Sequence, residues 1–320
     1  MSNISKLTIL LPLYNSSEFL VDLIDCILKN DLPRQTVKLV MIDDGSNDKT
    51  IEIIETYLDE LKQSFSRVMF FRQHQNVGVS QNHKTLLTFV ETEYFCFIDS
   101  DDVFSPDKLR HQINVMDANS DFAMCGTDHV TFNRNEKVVL PAFQQDLVLE
   151  ELDLRLYLKN IPPSQNSTLV YRTSMFRLFE AGTRYHFDIA NQISIMCQDA
   201  ARMCILRFPF SGYRVGTGYS KDLSKNLPTF LKVIDDIAFP IICMGSIIPR
   251  HIIFVRYLRF LLPYLKILFF EHGILGLLFG VARAIRTIPI LISKNQSLPT
   301  LKLEVLDAEK HQENLVAIGH

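Results

Sequence analysis

The sequence predicts an α/β fold, a mostly parallel sheet flanked by helices, with a C-terminal helical extension that is apolar and basic. Three observations predict it. Apolar runs of strand length alternate with helical patterns through the first 125 residues. A polar cluster follows four of these strands. From about Ala238 the chain becomes strongly apolar, with scattered arginine and lysine.

The elements follow in order. Leu7–Leu13 is a short apolar run closed by Pro12-Leu13-Tyr14-Asn15. Phe19, Leu20, Leu23, Ile24, Ile27 and Leu28 then recur at the three-and-four spacing of a buried helix face. Val37–Ile42 is a second strand, closed by Asp43-Asp44-Gly45-Ser46, and Ile51, Ile54, Leu58 and Leu61 mark the next helix. Val68–Phe71, Val79–Val90, Tyr94–Ile98, Ser105–Met116 and Phe122–Cys125 continue the alternation as strand, helix, strand, helix and strand. Such alternation gives parallel strands covered on both faces, with ligands at their carboxyl ends. Between Gly126 and Tyr219 the pattern predicts a mixed region on the same sheet, with a strand at Ser167–Tyr171 and helices at Thr173–Glu180 and around Ala190–Cys204.

The expected division is therefore a first half at 1–125, a second half of the same domain at 126–237, an amphipathic helical region at 238–293, and a loose polar tail at 294–320. Pro249, Pro263, Gly273 and Pro289 interrupt the apolar stretch, so clean membrane spans are not expected. Arg256, Arg259 and Lys266 fall within roughly an 80° arc at the helical step, and Arg283 and Arg286 lie three apart. A basic stripe on an apolar helix suits a membrane interface, although a helical cap docked on the core would show the same stripe.

Composition narrows the function. A formal charge of −3 gives no reason to expect nucleic acid. Six scattered cysteines without CxxC spacing suit a reduced, cytosolic compartment, and Cys26, Cys96 and Cys125 read as core residues. Met1–Lys6 lacks a signal-peptide layout.

The chemistry concentrates after the fourth strand. Phe97-Ile98-Asp99-Ser100-Asp101-Asp102 brings three carboxylates to one point, where they repel unless a cation lies among them. A solvated turn before the helix start Ser105-Pro106-Asp107 would explain it alone, but the other clusters share the rim. A capped turn between strand and helix would explain Asp43-Asp44-Gly45-Ser46 alone, with Asn47 or Asp48 as the cap. Its place beside the acidic turn, however, has at least one of Asp43 and Asp44 hydrogen bond a nucleobase or ribose. Gly78 stands at a helix start where backbone approaches a phosphate or sugar, and His83 reads as a helix-surface histidine.

Pro12-Leu13-Tyr14-Asn15, Ile42-Asp43-Asp44-Gly45-Ser46, Asn76-Val77-Gly78-Val79-Ser80-Gln81-Asn82 and Phe97–Asp102, in this order, resemble the family 2 glycosyltransferases of the Rossmann-like GT-A fold. The resemblance implies inverting transfer of a sugar from a nucleotide-sugar donor, most simply a UDP-sugar, to an acceptor hydroxyl. It implies donor contacts from Pro12, Tyr14, Asn15, Asp43, Asp44, Asn76, Gly78, Asn82, Asp99 and Ser100, with Asp99 and Asp101 holding Mg²⁺ or Mn²⁺ on the diphosphate. Asp102 either joins them or bonds following backbone. The base matches Asp199, although Gln198 replaces the family's usual Glu, and Asp188 is the fallback. Gly212–Ser220 resembles the late strand and loop over the diphosphate, with Gly216, Thr217 and Gly218 where many relatives have a metal-binding His. There Arg214 and Lys221 are candidates for phosphate. The family analogy further implies a glycan or lipid-linked acceptor in bacterial capsule, exopolysaccharide or O-antigen synthesis, on the inner face of the cell membrane.

Two other readings stand beside it. A sugar nucleotidyltransferase would want a basic, glycine-rich loop after the first strand, and Pro12–Ser17 has neither lysine nor arginine. A catalytically degenerate partner in a glycan-assembly complex would suit Gln198 and the missing late histidine. A dehydrogenase lacks its GxGxxG.

Overall fold

The computed structural model describes residues 5–143, 146–159, 165–176, 178–179, 187–198, 200–217, 265–266, 303–304 and 315–318, and the single residues 270, 274, 278, 281 and 312. Its first half follows the expected alternation: β1 (Leu7–Leu13), α1 (Leu20–Lys29), β2 (Val37–Asp43), α2 (Thr50–Ser64), β3 (Arg67–Gln73), α3 (Val79–Leu87), β4 (Tyr94–Phe97), β5 (Val103–Phe104) and α4 (Lys108–Ala118). Periodicity explains why these segments take these forms. Leu20, Leu23, Ile24 and Ile27 of α1 are all buried, and each contributes about 1.5–3 kcal/mol by leaving water. All seven residues of β2 are buried, as in a strand covered on both faces.

The second half adds β6 (Phe122–Asn133), β7 (Leu149–Leu152), α5 (Leu154–Lys159), β8 (Val170–Arg172), β9 (Leu178–Phe179), α6 (Phe187–Met196), β10 (Arg202–Val215), β11 (Leu303–Glu304) and β12 (Leu315–Ala317). One ten-stranded sheet has the order β12-β3-β2-β1-β4-β8-β6-β10-β5, with β7 also on β10. β1, β2, β3 and β4 are mutually parallel, as are β6 and β10. β8 lies antiparallel between β4 and β6, and β5 antiparallel on β10, so the sheet is parallel through β1–β4 and mixed beyond them. Arg172 on β8 secures the junction. Its guanidinium donates to the carbonyls of Phe122 (3.0 Å), Met116 (2.6 Å) and Asn119 (3.1 Å) and to the Tyr94 hydroxyl (3.1 Å).

Four local expectations are corrected. The helix expected at Thr173–Glu180 is a 3₁₀ turn, Thr173–Met175, followed by β9. Phe176 is extended and packs edge-on against Phe95 (4.9 Å) and Tyr171 (5.4 Å), so tertiary packing outweighs helical periodicity there. The helix expected around Ala190–Cys204 ends at Met196; Ala200 has φ 59°, and β10 begins two residues later. The strand expected at Phe122–Cys125 runs on to Asn133, across the boundary drawn at 125/126, because β10 pairs along its whole length. The tail after Ser293, expected to be loose, contributes β11 on β9 and β12 on the outer edge of β3.

Arg256, Arg259, Arg283 and Arg286 lie outside the described residues. Among the described residues, no helix is long and apolar enough to cross a membrane.

Candidate active site

The polar clusters converge at the carboxyl ends of β1, β2, β3 and β4. Pro12 is tolerated in a central strand because pairing of β1 with β4 stops at Leu10, so no ladder partner there misses the absent N–H. Tyr14 follows, 47% exposed at the rim. Asn15 has φ 48°, a left-handed conformation that asparagine tolerates, and it joins two loops. Its N–H donates to Ser46 Oγ at 2.8 Å, and its Oδ1 accepts the Asn47 N–H at 2.9 Å.

Asp43 and Asp44 divide their work. Asp43 is fully buried and accepts the Ser46 N–H at 2.9 Å and the Ser46 hydroxyl. Arg72, at the end of β3, lies 3.5 Å from Asp43 and donates to the Ser46 carbonyl at 2.9 Å. Asp44 reaches the other way, accepting the N–H groups of Val77 (2.8 Å) and Gly78 (2.9 Å). Burial pushes the Asp44 carboxyl up, against the pull of those two donors and with a smaller push from Asp43. Asp48 accepts the N–H groups of Ser17 and Thr50 at 3.0 Å each from just outside α2, whose N-cap is Lys49 rather than the expected Asn47 or Asp48.

Gly45 and Gly78 permit this clasp. A Cβ on Gly45 (φ +74°) would stand 3.0 Å from the Asn76 backbone nitrogen. Gly78 (φ +87°) opens α3, and a Cβ there would meet nothing within 4 Å, so open space lies in front of the helix start. Asn76 is exposed beside it. Asn82 is buried and donates to the Ile42 carbonyl at 3.2 Å, fixing α3 to β2. His83 corrects the surface expectation: it is 2% exposed and stacked on Phe97 at 4.4 Å. Burial lowers its pKa to about 3.

The three carboxylates after β4 are not equivalent. Asp99 and Asp101 are half-buried. Asp102 is buried, and its Oδ1 accepts the Arg214 N–H at 3.0 Å. Burial, then the charge of Asp101, pushes the Asp102 pKa up to about 7. Asp102 therefore backs the turn from inside. Thr217 donates from Oγ1 to Asp101 Oδ2 at 2.6 Å. Ser100 accepts the Ser16 hydroxyl at 2.7 Å, tying this turn to the end of β1.

Arg214 is 5% exposed and braces the same turn. Nε donates to the Asp101 carbonyl at 2.9 Å, Nη1 to the Arg134 carbonyl at 2.9 Å, and Nη2 to Asp22 at 3.2 Å. The rings of Phe19 and Phe132 lie 4.5 and 4.4 Å from its guanidinium. Lys221 lies outside the described residues.

A divalent cation fits this donor set. Asp99 and Asp101 supply hard oxygen ligands from one turn, and a magnesium-like ion takes one or two carboxylates plus substrate phosphates. Among the described residues no cluster of three or more acidic, histidine or cysteine groups is placed to hold an ion. Sequence reasoning missed Arg72, Ser16 and Ser167. Arg72 was readable as a cation ending the third strand beside Asp43-Asp44; the two serines carry no signal of their own.

Asp199 lies outside the described residues, but the chain around it is placed. Arg202 pairs with Phe122, the first residue of β6, and donates its N–H to the Asp121 carbonyl. Through β8, Met124 stands level with Phe95. Arg202 is thus level with Glu93, six residues below Asp99, or about 20 Å along the strands. Asp188 stands in the first turn of α6, whose other end connects to that lower edge of β10.

Residues 8–180, more than half of the chain, match the family described as glycosyl transferase family 2. The chain belongs to that family. An uncharacterized glycosyltransferase of Haemophilus influenzae is 35% identical over 115 residues, 36% of this chain and 43% of that protein. The poly(ribitol-phosphate) beta-N-acetylglucosaminyltransferase TarS of Staphylococcus aureus is 29% identical over 105 residues, 33% of this chain and 18% of that protein. The chain thus spans less than half the length of these relatives. The crystal structure of TarS 1–349 superposes with a TM-score of 0.65 at 18% identity, covering 89% of this chain and 81% of that one. The same fragment in complex with UDP-GlcNAc gives 0.56 at 17% identity, covering 94% and 100%. The shared fold is the expected GT-A fold.

Proposed function

We propose that this chain transfers a sugar, with inversion, from a nucleoside-diphosphate sugar to the hydroxyl of a bacterial cell-surface glycan. One observation carries the proposal. The Asp43–Ser46 loop, the Gly78 helix start and the Asp99–Asp101 turn meet on one rim, with Asp44 binding the second to the first. A UDP-sugar is the favoured donor, since the TarS fragment is solved with UDP-GlcNAc. A polymeric acceptor is favoured by the poly(ribitol-phosphate) substrate in the name of that relative.

In this reading Tyr14, Asn15, Asp43, Asp44, Asn76 and Asn82 shape the nucleoside end, and the open start of α3 receives the diphosphate. Asp99 and Asp101 would hold Mg²⁺ or Mn²⁺, which when bound supplies Lewis-acid stabilisation of the leaving diphosphate. Arg214 and Asp102 keep those carboxylates in place. The acceptor oxygen bonds to the anomeric carbon as the bond to the diphosphate breaks on the opposite face, and a carboxylate takes the hydroxyl proton. For that base we favour Asp188 over Asp199, because the chain around Asp199 stands at the far edge of the sheet.

The acceptor is lipid-linked in this reading, and the chain works at the inner face of the membrane. Phe270, Ile274 and Leu278 support this: they are helical, spaced by four, and exposed by 81%, 68% and 57%, with exposed Lys266 one turn before. An apolar face with a basic residue suits an interfacial helix.

The test is a panel of UDP-, GDP- and dTDP-sugars with Mn²⁺, on wild type and Asp101→Asn. Turnover from one donor class, lost by at least about 10³-fold in a normally folded Asp101→Asn, is the expected result. No turnover from any donor, or an active Asp101→Asn, overturns the proposal.

A further inference from the structure

We infer that Ser167 and Lys108 form a positioning unit that clamps the Asp99–Asp102 turn to the second half of the sheet. The inference rests on the metal-and-diphosphate reading of that turn. Ser167 lies in a buried 3₁₀ turn, Asn166–Thr168, immediately before β8. Its Oγ accepts the Asp99 N–H at 2.9 Å. Its carbonyl accepts a hydrogen bond from Lys108 Nζ.

Lys108 is an unusual component. It opens α4 and has no exposed surface, with Nζ 5.3 Å from the Phe104 ring. A buried ammonium costs several kcal/mol unless polar partners compensate it. Here the Ser167 carbonyl is the polar partner, and burial still lowers the lysine's pKa to about 8. Full burial keeps this lysine off the donor, so it acts through what it holds. The neighbouring residue is pinned as well: Gln112 Nε2 donates to the Thr168 carbonyl at 2.9 Å and to the Cys125 carbonyl at 2.7 Å. The 3₁₀ turn is thus seated on α4 and β6, and its Ser167 hydroxyl reaches the first residue of the metal turn.

Two carboxylates bind one ion well only when their separation is fixed, and supporting hydrogen bonds supply that fixity. Arg214 and Thr217 hold Asp101 from the β10 side; Ser167 is the corresponding hold on Asp99.

The test uses Ser167→Ala, Ser167→Thr and Lys108→Met in the full chain, with UDP binding measured by calorimetry with and without Mn²⁺. Amide exchange of residues 98–104 is followed in parallel. Ser167→Ala is expected to weaken Mn²⁺-dependent UDP binding about tenfold, the worth of one good hydrogen bond, and to leave metal-free binding within about twofold. Exchange in 98–104 should rise by a similar factor, Lys108→Met should show the same split, and Ser167→Thr should restore both readouts. Equal losses with and without Mn²⁺, or wild-type exchange in Ser167→Ala, overturn the clamp. If Lys108→Met does not fold, Ser167→Ala alone decides. Wild-type UDP binding that ignores Mn²⁺ overturns the metal reading instead, and the exchange arm then decides the clamp by itself.

Discussion

Lowering the pH from 8 to 5 should cost this protein about 2 kcal/mol of stability through His83 alone. The side chain is buried against Phe97, and burial brings its pKa from 6.5 to about 3. A histidine depressed in the folded state leaves proton uptake to the unfolded chain. The stability it contributes is therefore complete above pH 6.5 and is lost progressively as the pH falls toward 3. From the two pKa values the loss is about 2 kcal/mol at pH 5 and about 3 kcal/mol at pH 4. The assay is urea unfolding from pH 8 to 4 on wild type and on His83→Gln, which cannot titrate. Any fixed cost of the substitution shifts the variant equally at every pH, so the wild-type-minus-variant difference isolates the histidine. That difference should be level from pH 8 to 7 and then fall by about 2 kcal/mol by pH 5. A level difference down to pH 4, or a His83 ring that titrates by NMR near 6.5, would refute the reasoning.

Three further outcomes are expected. Asp188→Asn should cut turnover by about 10²–10⁴-fold with UDP binding retained, and Asp199→Asn should leave it within about threefold; steady-state kinetics reversing that order would return the base to Asp199. Gly78→Ala should destabilise the fold by about 1–3 kcal/mol from backbone strain alone, and Gly45→Ala by more, because its Cβ would also press on Asn76. Thermal melts with the two costs equal or inverted would contradict this. Ending the chain after residue 311 removes β12 from the edge of β3 beside Arg72 and Gln73, so the KM for donor should rise several-fold with kcat little changed. An unchanged KM would show that the edge strand is idle.

Much of the first half was legible because each signal there is local. The apolar run Leu7–Leu13 matches β1 residue for residue, and the polar clusters mark the carboxyl ends of the strands they follow. Residues whose fate depends on distant partners were not legible. Asp102 looks like its neighbours Asp99 and Asp101 until the Arg214 N–H, more than a hundred positions away, shows that it faces inward. Arg214 looks like a phosphate ligand until Asp22 and three loop carbonyls occupy its guanidinium. His83 reads as a helix-surface histidine, and only the stacking of Phe97 reveals its burial. The strand that closes β3's edge comes from the far end of the chain, and three residues of ordinary composition announce nothing.

The length of β6 has a consequence for anyone building chimaeras of this chain. Its twelve residues begin beside the first half of the sheet, where Met124 and Cys125 pair with β8, and end at Asn133 alongside β10. A cassette swap that joins portions of two relatives at residues 125/126 would sever a continuous hydrogen-bonded ladder. Grafts confined to the loops after Asn133, or to the start of α6, leave that ladder whole and are the more promising route to a changed acceptor.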